Sequence, residues 1–440
     1  MNIPKNLFHR LEISSWRQFS AIDIEFHERL TVITGANGAG KSTVLGILAQ
    51  HFGWNHQYLS TPRRPKGSAS YSYVTGLWKR RHLTRQSPQP YGNVEIVGKI
   101  TYSNGPTAEL YVPQNTGSVQ YQLSIHQQQV IKGVSIGSHR PLPVYQQVAN
   151  IPTNAIKPEI AYQFYFNEQM QRYSGAYTQF SPAYRLKEAL ISMATFGAGN
   201  EYVQGDATVL DAFIGFQQIL KALLPPSIGF ERIAIRTPDV VLVTKSGEFL
   251  IDAASGGVMS LIDLAWQIHL YSISNGNSDS SFAVILDEPE NHLHPSMQRS
   301  LMTGLLAAFP KAQFIVATHS PFIVSSVRDS HVYVLRHHEG LSGEDEKSEV
   351  DELQDSAIRV GSIKLDNVNR AGTASEILRD VLGVPATIPE WVETKIREIV
   401  NSFQKRTLNN EALDDLRIQM NAIGCGEFYP QAISTLLEGK

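Results

Sequence analysis

Four short stretches carry residue types suited to phosphate chemistry. The first, Gly35-Ala36-Asn37-Gly38-Ala39-Gly40-Lys41-Ser42, satisfies G-x-x-x-x-G-K-[ST]. Its glycines let backbone N–H groups curl around phosphates, and a helix beginning there adds partial positive charge. Gly35, Asn37, Gly38, Gly40 and Thr43 are expected to frame the phosphates, Lys41 to reach the β- and γ-phosphates, and Ser42 to ligate Mg²⁺. The second is Asp287-Glu288, which ends an apolar run. Asp287 is placed to hold Mg²⁺, directly or through water, and Glu288 to polarise an attacking water. The third is Thr318-His319-Ser320, where His319 can sense a γ-phosphate and position the same water. The fourth is Ser255-Gly256-Gly257, a serine and two glycines at the start of a helix, which is an anion site. Together they point to binding of ATP with Mg²⁺ and its hydrolysis, with Glu288 and His319 as the catalytic pair.

These groups must be delivered to one place by regular elements. Residues 30–34 (LTVIT) read as a buried strand and residues 43–49 as a helix, the context the glycine loop requires. Residues 282–286 (FAVIL) and 314–317 (FIVA) are continuous apolar runs, the pattern of parallel strands buried on both faces. Leu261, Leu264, Ala265 and Ile268 recur at helical spacing after Ser255. Residues 94–125 alternate like a β-hairpin or small sheet, and residues 160–224 read as largely helical. The proline-punctuated segment 137–152 offers a glutamine, Gln146 or Gln147, as a sensor of Mg²⁺ and water. Residues 341–356 are acidic and read as a flexible connection. Residues 373–406 then read as two helices broken at Gly383, Pro385 and Pro389. Their apolar faces carry Ile377, Leu378, Val381, Leu382, Trp391, Val392, Ile396 and Ile399, and two short helices cannot bury such faces alone.

The composition excludes several classes. Among 440 residues, 38 Lys and Arg against 41 Asp and Glu give a net charge of −3, so nucleic-acid binding requires a local basic patch. One candidate gathers Arg63, Arg64, Lys66, Lys79, Arg80, Arg81 and Arg85 around Trp78 and His82; a solvated surface or a docking patch fits it as well. A single cysteine, Cys425, excludes internal disulfides and multi-cysteine zinc sites and fits a reducing compartment. No run approaches the roughly 18–20 apolar residues of a membrane span, and the N-terminus lacks a signal-peptide pattern. A cytoplasmic protein without membrane contact is expected.

The order glycine loop, long insertion, S-G-G helix, "ILDEPE", "ATHS" resembles the ABC-type ATPases over residues 5–330. It is most similar to the soluble branch holding the chromosome-maintenance, RecF-type and OLD-like ATPases. The opening "LFHRLEISSWRQFSAIDIEFHERLTVITGANGAGKST" resembles that branch's amino-terminal hairpin. The resemblance implies an α/β fold, an ABC-type P-loop ATPase head with a β insertion, a helical lobe and a helical C-terminal appendage. It divides the chain at 1–155, 156–250, 251–336 and 337–440. It also implies a homodimer or higher homo-oligomer, in which Ser255, Gly256 and Gly257 reach the γ-phosphate of a second subunit and residues 290–295 communicate across the same interface. Val258 departs from the Gln or Glu frequent in the signature, which bears on the hydrolysis rate. Arg17 either borders the phosphates or lies on the surface. The tail lacks the spaced carboxylates of a nuclease. "SHRPLPVYQQVANIP" and "EILRDVLGVPATIPEWVETKIREI" resemble segments of the ATPase subunit of Septu-type antiphage systems, which works with a separate HNH nuclease; the PARIS-type defence ATPase is a near neighbour. The alternative function is a DNA repair or recombination ATPase that clamps DNA directly.

Overall fold

The unbroken apolar runs form the centre of one eleven-stranded sheet in a computed structural model of the chain. The structure describes residues 6–64, 71–77, 94–139, 145–274, 280–338, 359–366, 376–378, 390–404, 410–422 and 424–438. Five parallel strands lie side by side: Gly133–Ile136 at the edge, then Phe282–Asp287, Ala312–Ala317, Leu30–Gly35 and His331–His338. No residue of Leu30–Gly35 or Ala312–Ala317 is exposed, as expected of strands covered on both faces. The other flank is antiparallel. Phe19–Glu25, Phe8–Trp16, Val94–Tyr102, Thr107–Pro113 and Ser124–His126 follow one another by hairpin-type pairing. Within the alternating stretch 94–125, the hairpin of Val94–Tyr102 and Thr107–Pro113 extends the main sheet, while Asn115–Thr116 and Gln120–Tyr121 pair in two small separate sheets.

The sheet is strongly curved. Its two edge strands, Ser124–His126 and Gly133–Ile136, are joined by residues 127–132. That connection reaches at most about 25 Å, whereas eleven flat strands would span roughly 48 Å. The helix Lys41–Ala49 packs on this sheet, and its Val44, Leu45, Ile47 and Leu48 share one core with Phe8, Leu11, Trp16, Ile100 and Leu110. The glycine loop is therefore anchored at both ends, by a buried strand before it and a buried helix after it.

The helical lobe consists of Pro158–Tyr173, Pro182–Gly197 and Ala207–Leu223. The Ser181 and Asp206 side chains cap the second and third helices by accepting from the first free N–H groups. A three-stranded meander, Phe230–Arg236, Asp239–Thr244 and Gly247–Leu250, then leads through a short turn into the helix Gly256–Ile273. This last helix is buried along most of its length, with Trp266 against Phe216. One buried cation links three of these segments. Lys187, 1% exposed, donates to the Gln146 carbonyl at 2.7 Å and to Asp252 Oδ2 at 2.8 Å, with the Tyr145 ring 4.9 Å away. Asp252 stands three residues before Ser255, so the lobe, the glutamine segment and the start of the signature helix share one ion pair.

The region after residue 337 differs from the sequence reading. Arg359–Lys364 is a strand inside the main sheet, antiparallel to His331–His338 and parallel to Phe19–Glu25. Arg359, Ser362 and Lys364 interrupt the apolar residues of "RVGSIK" and only Val360 is fully buried, so its hydrophobic signal is weak. The first compact unit accordingly runs to Gly372. Among its described residues the second unit, Thr373–Lys440, includes the helices Glu390–Gln404, Asn410–Ala422 and Tyr429–Glu438. Val400, Phe403, Leu416, Met420 and Leu436 form its core, and Ile396 and Ile399 pack against it. Part of the apolar face that looked unpartnered is thus covered by two later helices. Val381, Leu382, the acidic stretch 341–356 and the basic residues Lys66, Lys79, Arg80, Arg81 and Arg85, with Trp78 and His82, lie outside the described residues.

Two outcomes follow. A chain ended at Gly372 should stay soluble and melt cooperatively, whereas one ended at Ser356 removes a strand from mid-sheet and should aggregate. Equal solubility and melting of the two would show that Arg359–Lys364 contributes nothing to the sheet. Lys187→Met leaves the Asp252 carboxylate buried without its partner and should cost about 3–5 kcal/mol in urea unfolding. A loss under about 0.5 kcal/mol would mean that the pair does not hold the lobe.

Candidate functional site

The glycine loop takes the conformation its composition allows. Gly35, Gly38 and Gly40 have φ of 140°, 77° and 99°. Space adds to the requirement at two of them. A Cβ on Gly35 would lie 2.4 Å from the Leu335 carbonyl oxygen, and one on Gly40 would lie 2.5 Å from Gln18 Nε2 and from the Phe19 ring. The hairpin turn Arg17-Gln18-Phe19 therefore packs directly on the loop. Arg17 itself has φ 52°, donates its N–H to Gly76 at 2.7 Å, and holds its guanidinium 5.5 Å from the Tyr58 ring. It is half-buried beside the loop rather than an open surface residue.

Lys41 folds back over the loop. Its Nζ donates to the carbonyls of Gly35 at 3.0 Å and Ala36 at 3.1 Å, and the residue is buried. Burial lowers its pKa, while Glu288, Asp287 and Glu290 act in the opposite direction. Thr43 is half-buried; Asn37 and Ser42 are exposed.

Asp287 and His319 arrive on adjacent parallel strands. Asp287 is paired with Ala317, and Ala317 with Ile33, so the chain ends carrying Glu288, Thr318-His319 and the glycine loop lie at one edge. Burial pushes the Asp287 carboxyl up, and a hydrogen bond from the Ser42 side chain pulls it down. Asp287 Oδ1 is buried with no hydrogen-bond partner. An acceptor oxygen left unpaired beside a serine hydroxyl fits a divalent cation held by these two side chains and completed by phosphate oxygens and water. Among the described residues no cluster of three or more His, Cys, Asp or Glu could hold a metal unaided. Glu288 has φ 47°; its N–H donates to Ala317 at 2.9 Å and its Oε2 accepts from Asn291 at 3.1 Å. Its Oε1 stands 3.7 Å from His319 Nε2, both side chains about one-third exposed. Burial lowers the His319 pKa below its ordinary value, Lys41 lowers it further and Glu288 opposes.

Ser255 caps the signature helix, accepting from Val258 N–H at 3.5 Å, and is exposed. Gly256 is half-buried, and a Cβ on Gly257 would lie 2.9 Å from the His292 carbonyl oxygen, so the helix start rests against the acidic turn. Val258, the departure from the usual signature, is buried. A cavity of about 980 Å³ opens between the loop helix, the glutamine segment, the helical lobe and the signature helix. Ser42, Asp287, Gln146 and Gly256 all line it. Of the two candidate glutamines, Gln146 faces this cavity; it donates to the Gln179 carbonyl at 3.1 Å and accepts from Ser181 N–H at 3.3 Å, while Gln147 is exposed. Glu290, read from the sequence only as the start of an interface loop, is buried and bonded to the His319 backbone. The second glutamate of "DEPE" was the one signal for it.

Among the described residues no helix is long and apolar enough to cross a membrane. Residues 10–134 match a family described as "AAA domain", and residues 242–325 one described as "AAA domain, putative AbiEii toxin, Type IV TA system". The Septu protein PtuA of Bacillus mycoides (strain KBAB4) is 22% identical over 353 residues, covering 76% of this chain and 41% of that protein. The Septu protein PtuA of Bacillus thuringiensis is 28% identical over 191 residues, covering 42% of this chain and 43% of that protein. The chain thus spans less than half the length of these curated relatives. The SMC head domain from Thermotoga maritima is similar at a TM-score of 0.38 and 14% identity, over 82% of this chain and 99% of that one. The glycine loop, acidic pair and histidine gather at one edge of a parallel-centred sheet, the arrangement of a P-loop nucleotide-binding fold, and the sequence is similar to the Septu PtuA proteins.

Proposed function

We propose that this chain binds ATP with Mg²⁺ in a nucleotide-sandwich dimer, hydrolyses it, and serves as the ATPase subunit of an antiphage defence complex controlling a separate nuclease, of HNH type. The observation that carries the nucleotide chemistry is the meeting of Lys41, Asp287, Glu288 and His319 at the ends of three adjacent parallel strands. The defence role and the nuclease partner rest on the similarity to the Septu proteins.

Phosphate oxygens would replace the Gly35 and Ala36 carbonyls as acceptors for Lys41, exchanging neutral acceptors for anionic ones. Gly35, Asn37, Gly38, Gly40 and Thr43 would frame the same phosphates with backbone N–H groups. Ser42 and Asp287 would hold Mg²⁺, which neutralises phosphate charge when bound. Glu288, held by Asn291 and by its backbone bond to Ala317, would polarise the attacking water. The His319 ring beside it would offer a ring nitrogen for one hydrogen bond to that water. The exposed Ser255 at a helix start, followed by Gly256 and Gly257, suits contact with a γ-phosphate on a second copy.

Lys41→Ala should lower ATP affinity at least about tenfold, the loss of a contact worth on the order of 1.5–3 kcal/mol. Unchanged affinity by calorimetry would rule Lys41 out as the phosphate lysine. Glu288→Gln should bind ATP normally, turn it over far more slowly and accumulate as a dimer in light scattering; wild-type turnover would move the catalytic role elsewhere. Ser255→Arg and Lys41→Ala should each be inactive, yet recover part of the ATPase activity when mixed, because one composite site is then intact. No recovery at any ratio would count against the trans arrangement.

A further inference from the structure

Glu290 takes no part in the chemistry above, yet its surroundings are specific. The residue is 8% exposed. Its Oε1 accepts from the Thr318 hydroxyl and from the His319 N–H at 3.0 Å. Thr318 Oγ1 in turn accepts from Ser320 N–H at 2.9 Å, and the Thr318 carbonyl accepts from Thr34 Oγ1, also at 2.9 Å. On the far side of the histidine, Ser320 Oγ donates to Gln298 Oε1 at 2.7 Å. The His319 backbone is therefore clamped from both directions, and both clamps come from the acidic turn or the helix after it.

The acidic turn and the histidine turn are braced twice. Glu288 N–H reaches the Ala317 carbonyl, and Glu290 reaches Thr318 and His319. These bonds join the two residues whose side chains face each other at 3.7 Å, Glu288 and His319. The chemistry of the brace calls for a carboxylate. The Thr318 hydroxyl and the His319 N–H are both donors, so an acceptor-only group matches them, whereas an amide would add a buried NH₂. Glu290 Oε2 has no partner in its buried position. A buried carboxyl with one unpaired oxygen is costly, and a residue serving only to fill space would be apolar.

We infer that Glu290 is a positioning residue: it fixes the His319 turn against the acidic turn, so that the imidazole and Glu288 address one water site. This rests on the hydrolysis reading above. Acting through His319, Glu290 should affect turnover only while the histidine is present.

The test is a double-mutant cycle in the full chain. Glu290→Gln should lower kcat about tenfold or more while KM for ATP stays within about twofold. His319→Ala should also lower kcat, and the double variant should be no slower than His319→Ala alone. Losses that multiply in the double variant, or wild-type turnover in Glu290→Gln, would overturn the inference. Full turnover in His319→Ala would instead reveal that the histidine reading has failed, and the inference would fall with it. Amide hydrogen exchange supplies an arm that needs no turnover. In Glu290→Gln the peptide spanning 317–321 should exchange about tenfold faster or more, with residues 35–45 unchanged. Unchanged exchange at 317–321 would remove the brace, and faster exchange throughout the chain would assign Glu290 a purely structural role.

Discussion

The parallel register of Phe282–Asp287, Ala312–Ala317 and Leu30–Gly35 is the constraint on which the site depends. Strands buried on both faces have no polar face to set their alignment, so hydrophobicity alone tolerates a slip. Buried polar side chains provide the missing pins. Gln313, 1% exposed, accepts from Phe8 N–H and donates to the carbonyls of Phe8 and His27. Thr34 Oγ1 donates to the Thr318 carbonyl at the other end. A shift of one residue would leave these groups unpaired in a dry core, at about 1–3 kcal/mol for each. The alignment of the candidate site residues is thus a by-product of satisfying hydrogen bonds elsewhere in the sheet.

Above that edge, glycine decides what can approach. Gly40 admits the Gln18-Phe19 turn, Gly35 admits the neighbouring strand at Leu335, and Gly257 admits the acidic turn at His292. Each contact is a close passage of chain segments remote in sequence. The loop is therefore shaped from outside as well as by its own φ values, and the hairpin before it is part of the site's scaffold.

Besides apolar packing such as Trp266 on Phe216, polar and charged groups join the helical lobe to this edge. Lys187 ties Gln146 and Asp252, and the Gln146 side chain ties the cavity wall to Ser181. A buried ion pair adds little net stability compared with an apolar pair of the same volume, but it is directional. It fixes where the glutamine segment and the start of the signature helix stand relative to each other. Both flank the cavity that Ser42 and Asp287 also line.

Much of the candidate site's layout was legible because it is carried by local pattern. A glycine loop between a strand and a helix, an acidic pair ending an apolar run, and a histidine ending another are each written in consecutive residues, and the sequence by itself determined them. The tertiary structure decided what depends on distant partners. "RVGSIK" has too little apolar character to announce a strand, yet backbone pairing with His331–His338 and Phe19–Glu25 places it mid-sheet. Gln146 and Gln147 are equivalent in the sequence, and only the bond to Ser181, thirty-five residues on, turns the first toward the cavity. The apolar face of Glu390–Gln404 looked unpartnered until Leu416, Met420 and Leu436 covered part of it. Glu290 stands two residues from Glu288, but its partners lie just past the end of a strand, about thirty residues later. In each case the deciding interaction is a hydrogen bond or burial contact between segments remote in sequence, which short-range periodicity does not encode.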